Sequence, residues 1–347
     1  MKHEGVQEVR EDAAALRPLV TFALIAYNQE QFIRDAIDGA LAQTYSPLEI
    51  ILSDDYSTDR TFEIMQSVAA AYRGPHSIVL NSNSCNVGIA RHVNRIMKLA
   101  KGGVVVIAAG DDISFPQRSE VTVTSFANNP GCTALYSSLL RIDENGREMG
   151  IQKSANRTEI GSISRAVVQW CPGVLGASHA WKRELFDYFG PLSPRVMTED
   201  RALPLRAALL GEILVIDEPL VKYRVHRDGF SQMPTNVDRD HYFRRQSSLW
   251  RQTFAVIRGY EQDLCKFVKV SGGNDELNRA IAIVREQKVK VFAQWRFFSS
   301  SRRTDRLKYF IGFAAISRDW RQMARFLVLM VWPRIYLRKL ARISGLV

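Results

Sequence analysis

Ile50-Ile51-Leu52-Ser53-Asp54-Asp55 and, further along, Val104-Val105-Val106-Ile107-Ala108-Ala109-Gly110-Asp111-Asp112 share one design: a short apolar run that ends in two carboxylates. Continuous apolar runs of this length read as strands buried on both faces, the kind found in parallel sheets. Residues just past the carboxyl ends of such strands line the crevice where an open α/β sheet binds its ligand. Two acid pairs aimed into one crevice repel each other unless a cation, or a ligand rich in donors, stands between them. A third pair, Glu199-Asp200, lies much further down the chain.

Working outward, residues 20–26 (VTFALIA) form an earlier buried strand, and 31–43 place Phe32, Ile33, Ile37, Ala40 and Leu41 at helical spacing. Ser57-Thr58-Asp59 suits the cap of a helix carrying Phe62, Ile64, Met65 and Val68. Strand 77–80, the polar loop NSNSCNVG and a helix near 89–100 follow, with Gly102-Gly103 as a left-handed stop before strand 104–109. This β-α-β-α-β-α-β order predicts a parallel sheet with helices on its faces. Past Pro116 the pattern predicts a helix near 117–127, then a strand over 133–143 that turns at Glu144-Asn145-Gly146. A helix over 199–210 with Pro204 in its first turns, strand 213–217 and segment 219–226 come next. From about residue 237 the pattern is helical, with a break at Ser271-Gly272-Gly273. The expected organisation is an extension over 1–19, an α/β domain over 20–235 and a helical region over 236–347.

Apolar residues make up 46% of the 347, enough for a real core, which excludes a largely disordered chain. Cys85, Cys132, Cys171 and Cys265 stand far apart, a spacing that is neither a zinc site nor a disulfide framework and that fits a reducing cytosol. The opening MKHEGVQEVREDAAALRP lacks the apolar core of a secretory signal. The longest apolar run, Phe326 to Trp332, has seven residues and meets Pro333, far short of the ~20 a membrane span needs. No GxGxxG or GxxxxGK[ST] loop is present, which argues against Rossmann dehydrogenases and P-loop enzymes. HExxH and GxSxG are absent too, so zincin and α/β-hydrolase chemistry lack support.

Each acid pair has a chemical reading and a plainer one. Asp54 and Asp55 can accept from a nucleobase N–H or ribose hydroxyls, or cap a helix, although capping needs only one of them. Asp111 and Asp112 offer hard oxygens to a divalent cation that also binds a diphosphate, or belong to an ordinary Asp-rich turn. Glu199-Asp200 at a helix start is favoured by the helix dipole, and serves as general base only if it faces the crevice. Tyr223-Arg224 and His226 can bind phosphate oxygens or sit on a surface strand.

Taken in order, these residues resemble glycosyltransferase family 2, inverting enzymes of the GT-A fold. The resemblance runs through Val20-Thr21-Phe22-Ala23-Leu24-Ile25-Ala26-Tyr27-Asn28, Ala36-Ile37, Leu41-Ala42-Gln43-Thr44 and Glu49 to Asp59. It continues in Asn86-Val87-Gly88 with Asn94, Gly110-Asp111-Asp112 with Pro116, Glu199-Asp200 and Tyr223-Arg224-Val225-His226. It implies an α/β domain, a mostly parallel sheet flanked by helices, followed by a basic helical extension. It implies a nucleotide-diphospho-sugar donor, UDP-sugars being the commonest, held by Ala26, Tyr27, Asp54, Asp55, Asn86, Gly88, Gly110, Asp112, Arg224 and His226. Asp55 would contact base or ribose beside the wall formed by Ala26 and Tyr27, and Arg224 and His226 would lie near the diphosphate. Asp111 would ligate Mg²⁺ or Mn²⁺, and Asp200 would deprotonate the acceptor hydroxyl. Two departures stand out. Ala109 occupies the place of the first acid of the family's Asp-x-Asp, leaving Asp112 to assist, and Arg201-Ala202 follows Glu199-Asp200 where an aromatic is common. The Gln-x-x-Arg-Trp motif of the processive synthases is missing, which implies single addition.

The net charge of +11 is concentrated at one end: from Arg296 onward twelve Lys/Arg face only Asp305 and Asp319. They alternate with Tyr309, Phe310, Phe313, Trp320, Phe326, Trp332 and Tyr336, the mixture an interfacial helix needs. The expectation is therefore a cytoplasmic enzyme peripheral on the inner face of the cell membrane, acting on a glycan or lipid-linked acceptor of surface-polysaccharide synthesis. Two alternatives are a nucleotide-sugar-binding protein of the same fold without catalysis, and a basic nucleic-acid binder. The last leaves all three acid pairs unexplained, so no nucleic-acid partner is expected.

Overall fold

The apolar runs pair side by side in the computed structural model, which describes residues 17–154, 163, 175–226, 239–317 and 320–331. β1 (Val20–Ala26) lies between β2 (Leu48–Asp54) and β4 (Val104–Ala109), parallel to both, and β3 (Ser77–Ser82) adds a parallel strand outside β2. The connecting helices are α1 (Ile33–Leu41), α2 (Thr61–Ala71) and α3 (Ile89–Leu99). Phe22, Leu24, Ile50 and Leu52 from the sheet share one buried cluster with Ile33 and Ile37 of α1 and Met65 of α2. The register sets Ala26 opposite Asp54, and Asp54 opposite Ser82, so the strands finish together along one edge.

β5 (Ile113–Ser114), α4 (Arg118–Asn128), β6 (Cys132–Ile142), β7 (Glu148–Gln152), β8 (Ala180–Lys182), α5 (Glu184–Phe189), α6 (Leu203–Leu210) and β9 (Glu212–Arg224) follow. Among the described residues the nine strands run β3-β2-β1-β4-β8-β6-β9-β5, with β7 paired to β6. β8 is antiparallel to both neighbours, whereas β6 and β9 are parallel, so the purely parallel ladder ends at β4 and the sheet as a whole is mixed.

Several local expectations need correcting. Segments 213–217 and 219–226 join as one strand, β9, whose pairing slips near Ile216 and Pro219, where proline lacks an N–H for the ladder. Residues 199–210 split into a 3₁₀ turn (Glu199–Arg201) and α6, which places Pro204 in the first turn of a shorter helix. Helix α2 begins after Arg60, which makes no side-chain cap; Asp59 instead accepts from the Thr61 N–H at 3.0 Å. Gly102 does not provide a left-handed stop, since its φ is not positive; a Cβ there would collide with the Thr21 N–H.

The chain divides into two compact units, residues 1–194 with 198–226, and residues 195–197 with 227–347. The second contains α7 (Arg239–Ser271), α8 (Asp275–Ser299), α9 (Arg303–Ile316) and α10 (Trp320–Val331). Gly272 takes φ +83° at the break, and Asn274 caps α8 by accepting from the Leu277 N–H at 2.9 Å. Phe243, Phe297, Phe298, Phe313 and Phe326 form its aromatic core. Among the described residues, no helix is long and apolar enough to cross a membrane.

Candidate functional site

The carboxyl edge of β1 and β2 is a prearranged rim. Asn28 and Tyr56, the second residue past each strand, hold left-handed backbones at φ +51° and +66°. Such a conformation is uncommon in residues other than glycine and persists only where its surroundings enforce it. Here they do: Asn28 Oδ1 accepts from the Thr58 N–H (2.8 Å), Asp59 Oδ2 from the Glu30 N–H (3.0 Å), and Glu30 Oε2 from the Arg60 N–H (3.0 Å). The lacing turns Tyr27 and Tyr56 outward, 45% and 51% exposed, as two aromatic faces at the mouth. Ala26 is buried beneath and accepts from the Asp55 N–H at 2.9 Å.

Asp54 and Asp55 do different work. Asp54 folds back on its own turn, accepting from the Ser57 N–H at 2.9 Å and from the Ser57 hydroxyl; this closes the turn and is no helix cap, since α2 begins only at Thr61. Asp55 pins the next loop: Oδ1 accepts from Asn83 Nδ2 (2.7 Å) and the Val87 N–H (2.9 Å), and Oδ2 from the Gly88 N–H (2.8 Å). A carboxylate has about four acceptor positions, so three of those of Asp55 are taken. Gly88 contributes by shaping this loop, its N–H being committed to Asp55, while Asn86 stands exposed on it.

After β4 the chain makes a second knot. The Gly110 N–H bonds the Ile25 carbonyl at 2.9 Å, and a Cβ there would collide with Gln29 Oε1 and Ala26. Asp111 stays partly open and its Oδ2 lies 3.1 Å from His226 Nε2, whose ring packs on Phe32 at 4.7 Å. Asp112 turns inward, accepting from the Arg224 N–H at 2.9 Å; burial and then the Asp111 charge push its carboxyl well above the usual range. Its Oδ1 thus ties the loop after β4 to the end of β9.

Arg224 is also not the phosphate fork its sequence position promised. Its Nε donates to the Asp111 carbonyl (3.0 Å), one terminal nitrogen to the Glu144 carbonyl (3.0 Å) and the other to Asp35 (2.9 Å), with the guanidinium over Phe32. These bonds fix where Asp111 and His226 stand. Among the described residues no three His, Cys, Asp or Glu gather as a metal cage. Two donors in adjacent octahedral positions of Mg²⁺ or Mn²⁺ stand about 3 Å apart, the spacing of Asp111 and His226. A pair of this kind fits an ion that takes its remaining ligands from water and phosphate.

Asp200 lies in a third place. Its carboxylate rests against Gly176, where a Cβ would come within 2.8 Å of Oδ2, and its buried Oδ1 has no hydrogen-bond partner in the protein. Burial raises its carboxyl above the ordinary range, opposite to the helix-dipole expectation, because the short 3₁₀ turn is enclosed. Glu199 is pushed up to about 8, by burial first and the Asp200 charge second. Between an unfolded value near 4.5 and about 8 the folded chain holds a proton that the unfolded chain has released. Stability therefore falls as pH rises through that window. Urea unfolding at pH 5 and pH 8 should show this fall, and Glu199→Gln should shrink it; an equal fall in both proteins would refute the assignment.

Arg118, fully buried, joins the second and third places. Its guanidinium donates to Ser114 Oγ (2.9 Å) and to the carbonyls of Ile107 (2.7 Å), Ala177 (3.1 Å) and His179 (3.4 Å). It thus clamps β4 to the segment that carries Gly176. Sequence reading missed Arg118, Gly176, Gln29 and Tyr56; only Tyr56, beside two acids, carried a local signal.

The sequence pattern of "Glycosyl transferase family 2" matches residues 21–188. Over 216 residues the chain is 33% identical to the putative glycosyltransferase EpsE of Bacillus subtilis, covering 62% of this chain and 76% of that one. The chain belongs to glycosyl transferase family 2. This family 2 chain is also 28% identical to an uncharacterized protein of Mycobacterium tuberculosis, of whose length it spans 58%. Among solved structures it is similar to S. aureus TarS in complex with UDP, with a TM-score of 0.53 at 14% identity over 87% of this chain and 91% of that one. The mannosyltransferase PcManGT of Pyrobaculum calidifontis, in complex with GDP-Man and Mn²⁺, gives 0.50 at 16% identity over 92% and 89%. These likenesses give the family 2 chain its fold, a GT-A type mixed sheet between helices with a helical C-terminal region.

Proposed function

We propose that this family 2 chain is an inverting glycosyltransferase that moves a sugar from a nucleoside-diphosphate donor to an acceptor hydroxyl. The observation that carries the reading is the Asp111–His226 pair, partly open at the carboxyl end of β4 beside the laced β1–β2 rim. Tyr27 and Tyr56 offer faces to the base, Ala26 its wall, and Asp55 its free acceptor position to a base N–H or ribose hydroxyl. Asp111 and His226 would hold Mg²⁺ or Mn²⁺, which when bound neutralises charge on the diphosphate leaving group. Asp200 takes the acceptor's proton as its oxygen bonds to the anomeric carbon from the face opposite the departing diphosphate. A base is most useful when its pKa lies near the working pH, and burial moves Asp200 in that direction.

UDP-sugars are the first donors to try, since TarS binds UDP and the likeness to it spans most of both chains; GDP-sugars follow from PcManGT. The cationic, aromatic C-terminal helices favour a peripheral site on the cytoplasmic membrane face, with a lipid-linked or surface-polysaccharide acceptor. A donor-binding protein without turnover is the second reading, favoured by Ala109 at the end of β4 where the family pattern carries an acid. The test is release of nucleoside diphosphate from a panel of nucleotide sugars with lipid extract present. Release that requires Asp200 supports transfer, whereas donor binding without release from any sugar supports the second reading. Asp111→Asn should weaken Mn²⁺ affinity at the donor site by at least about 10–100-fold, read as loss of the metal-dependent part of nucleotide binding in calorimetry.

A further inference from the structure

Helix α9 is apolar on two sides. Its inner side packs Phe313 against Phe326 at 5.2 Å and places the Arg306 guanidinium 4.2 Å over Phe243. Its outer stripe runs Arg303, Thr304, Leu307, Lys308, Ile311 and Ala315, all exposed, at spacings of one, three and four residues along one helix face. Leu307 is 47% exposed and Ile311, one turn on, 59%. A helix lying on a core needs one apolar stripe and ordinarily shows a polar one to water. From Tyr309 to Ile316 this helix has no charged side chain at all. Single exposed leucines are commonplace; an apolar second stripe that begins among cations is not.

The charge on this surface selects its occupant. Arg302, Arg303 and Lys308 stand exposed at the start of the stripe, and α10 repeats the pattern with exposed Arg321, Ala324 and Leu327 on one face. No acidic side chain lies on either stripe. A second copy of the chain would set these cations against one another, and nucleic acid would leave Leu307 and Ile311 in water. An anionic bilayer satisfies both halves: apolar side chains enter the headgroup–acyl boundary while Lys and Arg reach the phosphates along their own stems.

We infer that the outer stripe of α9 is a membrane-docking face, with Leu307 and Ile311 in the lipid and Arg303 and Lys308 on anionic headgroups. This rests on the peripheral-membrane reading above and adds to it the side chains that enter the bilayer. The test is sedimentation of the full chain with vesicles of phosphatidylcholine alone or mixed equally with phosphatidylglycerol. Wild type is expected to pellet with the anionic vesicles and poorly with the neutral ones. Leu307→Ser/Ile311→Ser, at exposed positions and with an unchanged melting temperature, should bind about tenfold more weakly or worse. Arg303→Gln/Lys308→Gln should lose the preference for phosphatidylglycerol. Wild type that ignores anionic vesicles overturns the membrane reading and this inference together. Wild type that binds while the Leu307/Ile311 variant binds equally overturns only the face. A variant that changes mass on gel filtration while keeping vesicle binding makes the stripe a protein interface and overturns it as well. Nucleotide binding in the first unit is unaffected in every arm.

Discussion

Asp200→Asn should lower turnover by about 10²–10⁴-fold while leaving the fold and nucleotide affinity in place. The substitution keeps the size of the side chain and removes its charge and its capacity to take a proton. Asp200 Oδ1 has no protein partner to lose, and the amide still fits against Gly176. The measurement is kcat together with donor Kd on the same preparation. A drop in kcat at constant Kd assigns a proton-accepting role. Equal loss of both would mean that Asp200 shapes the site instead. The pH profile adds a check: burial raises the Asp200 carboxyl, and activity needs the ionised form. The acid limb of kcat should therefore fall above the ordinary carboxylate range.

Arg118→Met should cost about 3–5 kcal/mol of unfolding free energy, by analogy with breaking other buried charge networks. Burial holds the guanidinium down to about 9, and no carboxylate in the described residues lies within ion-pair distance of it. Its hydrogen bonds satisfy the buried guanidinium, and its charge opposes the rise of the neighbouring Asp112 carboxyl. Methionine fills the space and leaves Ser114 Oγ and the Ala177 carbonyl short of a donor. Arg118→Lys should recover only part of the loss, since one ammonium cannot span β4 and the Gly176 segment as a planar fork does. Urea unfolding reads both variants; a change within about 0.5 kcal/mol, the ordinary range for surface substitutions, would contradict the clamp.

The first half of the fold was legible because β1, β2 and β4 are uninterrupted apolar runs, and a strand buried on both faces has to look like that. The second half was not. β5 and β8 have two and three residues, too few to carry a period, and their antiparallel pairing depends on distant partners. The same division runs through the site. Asp55 and Asp111 stand where strand ends were read from local sequence. Arg224 looked like a phosphate ligand because its sequence neighbours say nothing of Asp35 or Glu144, which take its donors across the fold. The Glu199-Asp200 helix start misled for a related reason: dipole arguments are local, whereas burial depends on the segment around Gly176.

Thermal stability in the presence of nucleoside diphosphates, with and without Mn²⁺ or Mg²⁺, tests the donor site most directly. One base is expected to stabilise the folded protein, more strongly with the ion than without it, and Asp111→Asn should abolish the difference. A folded protein that no nucleoside diphosphate stabilises, with either ion or with none, would contradict a nucleotide-sugar site at the carboxyl ends of β1, β2 and β4.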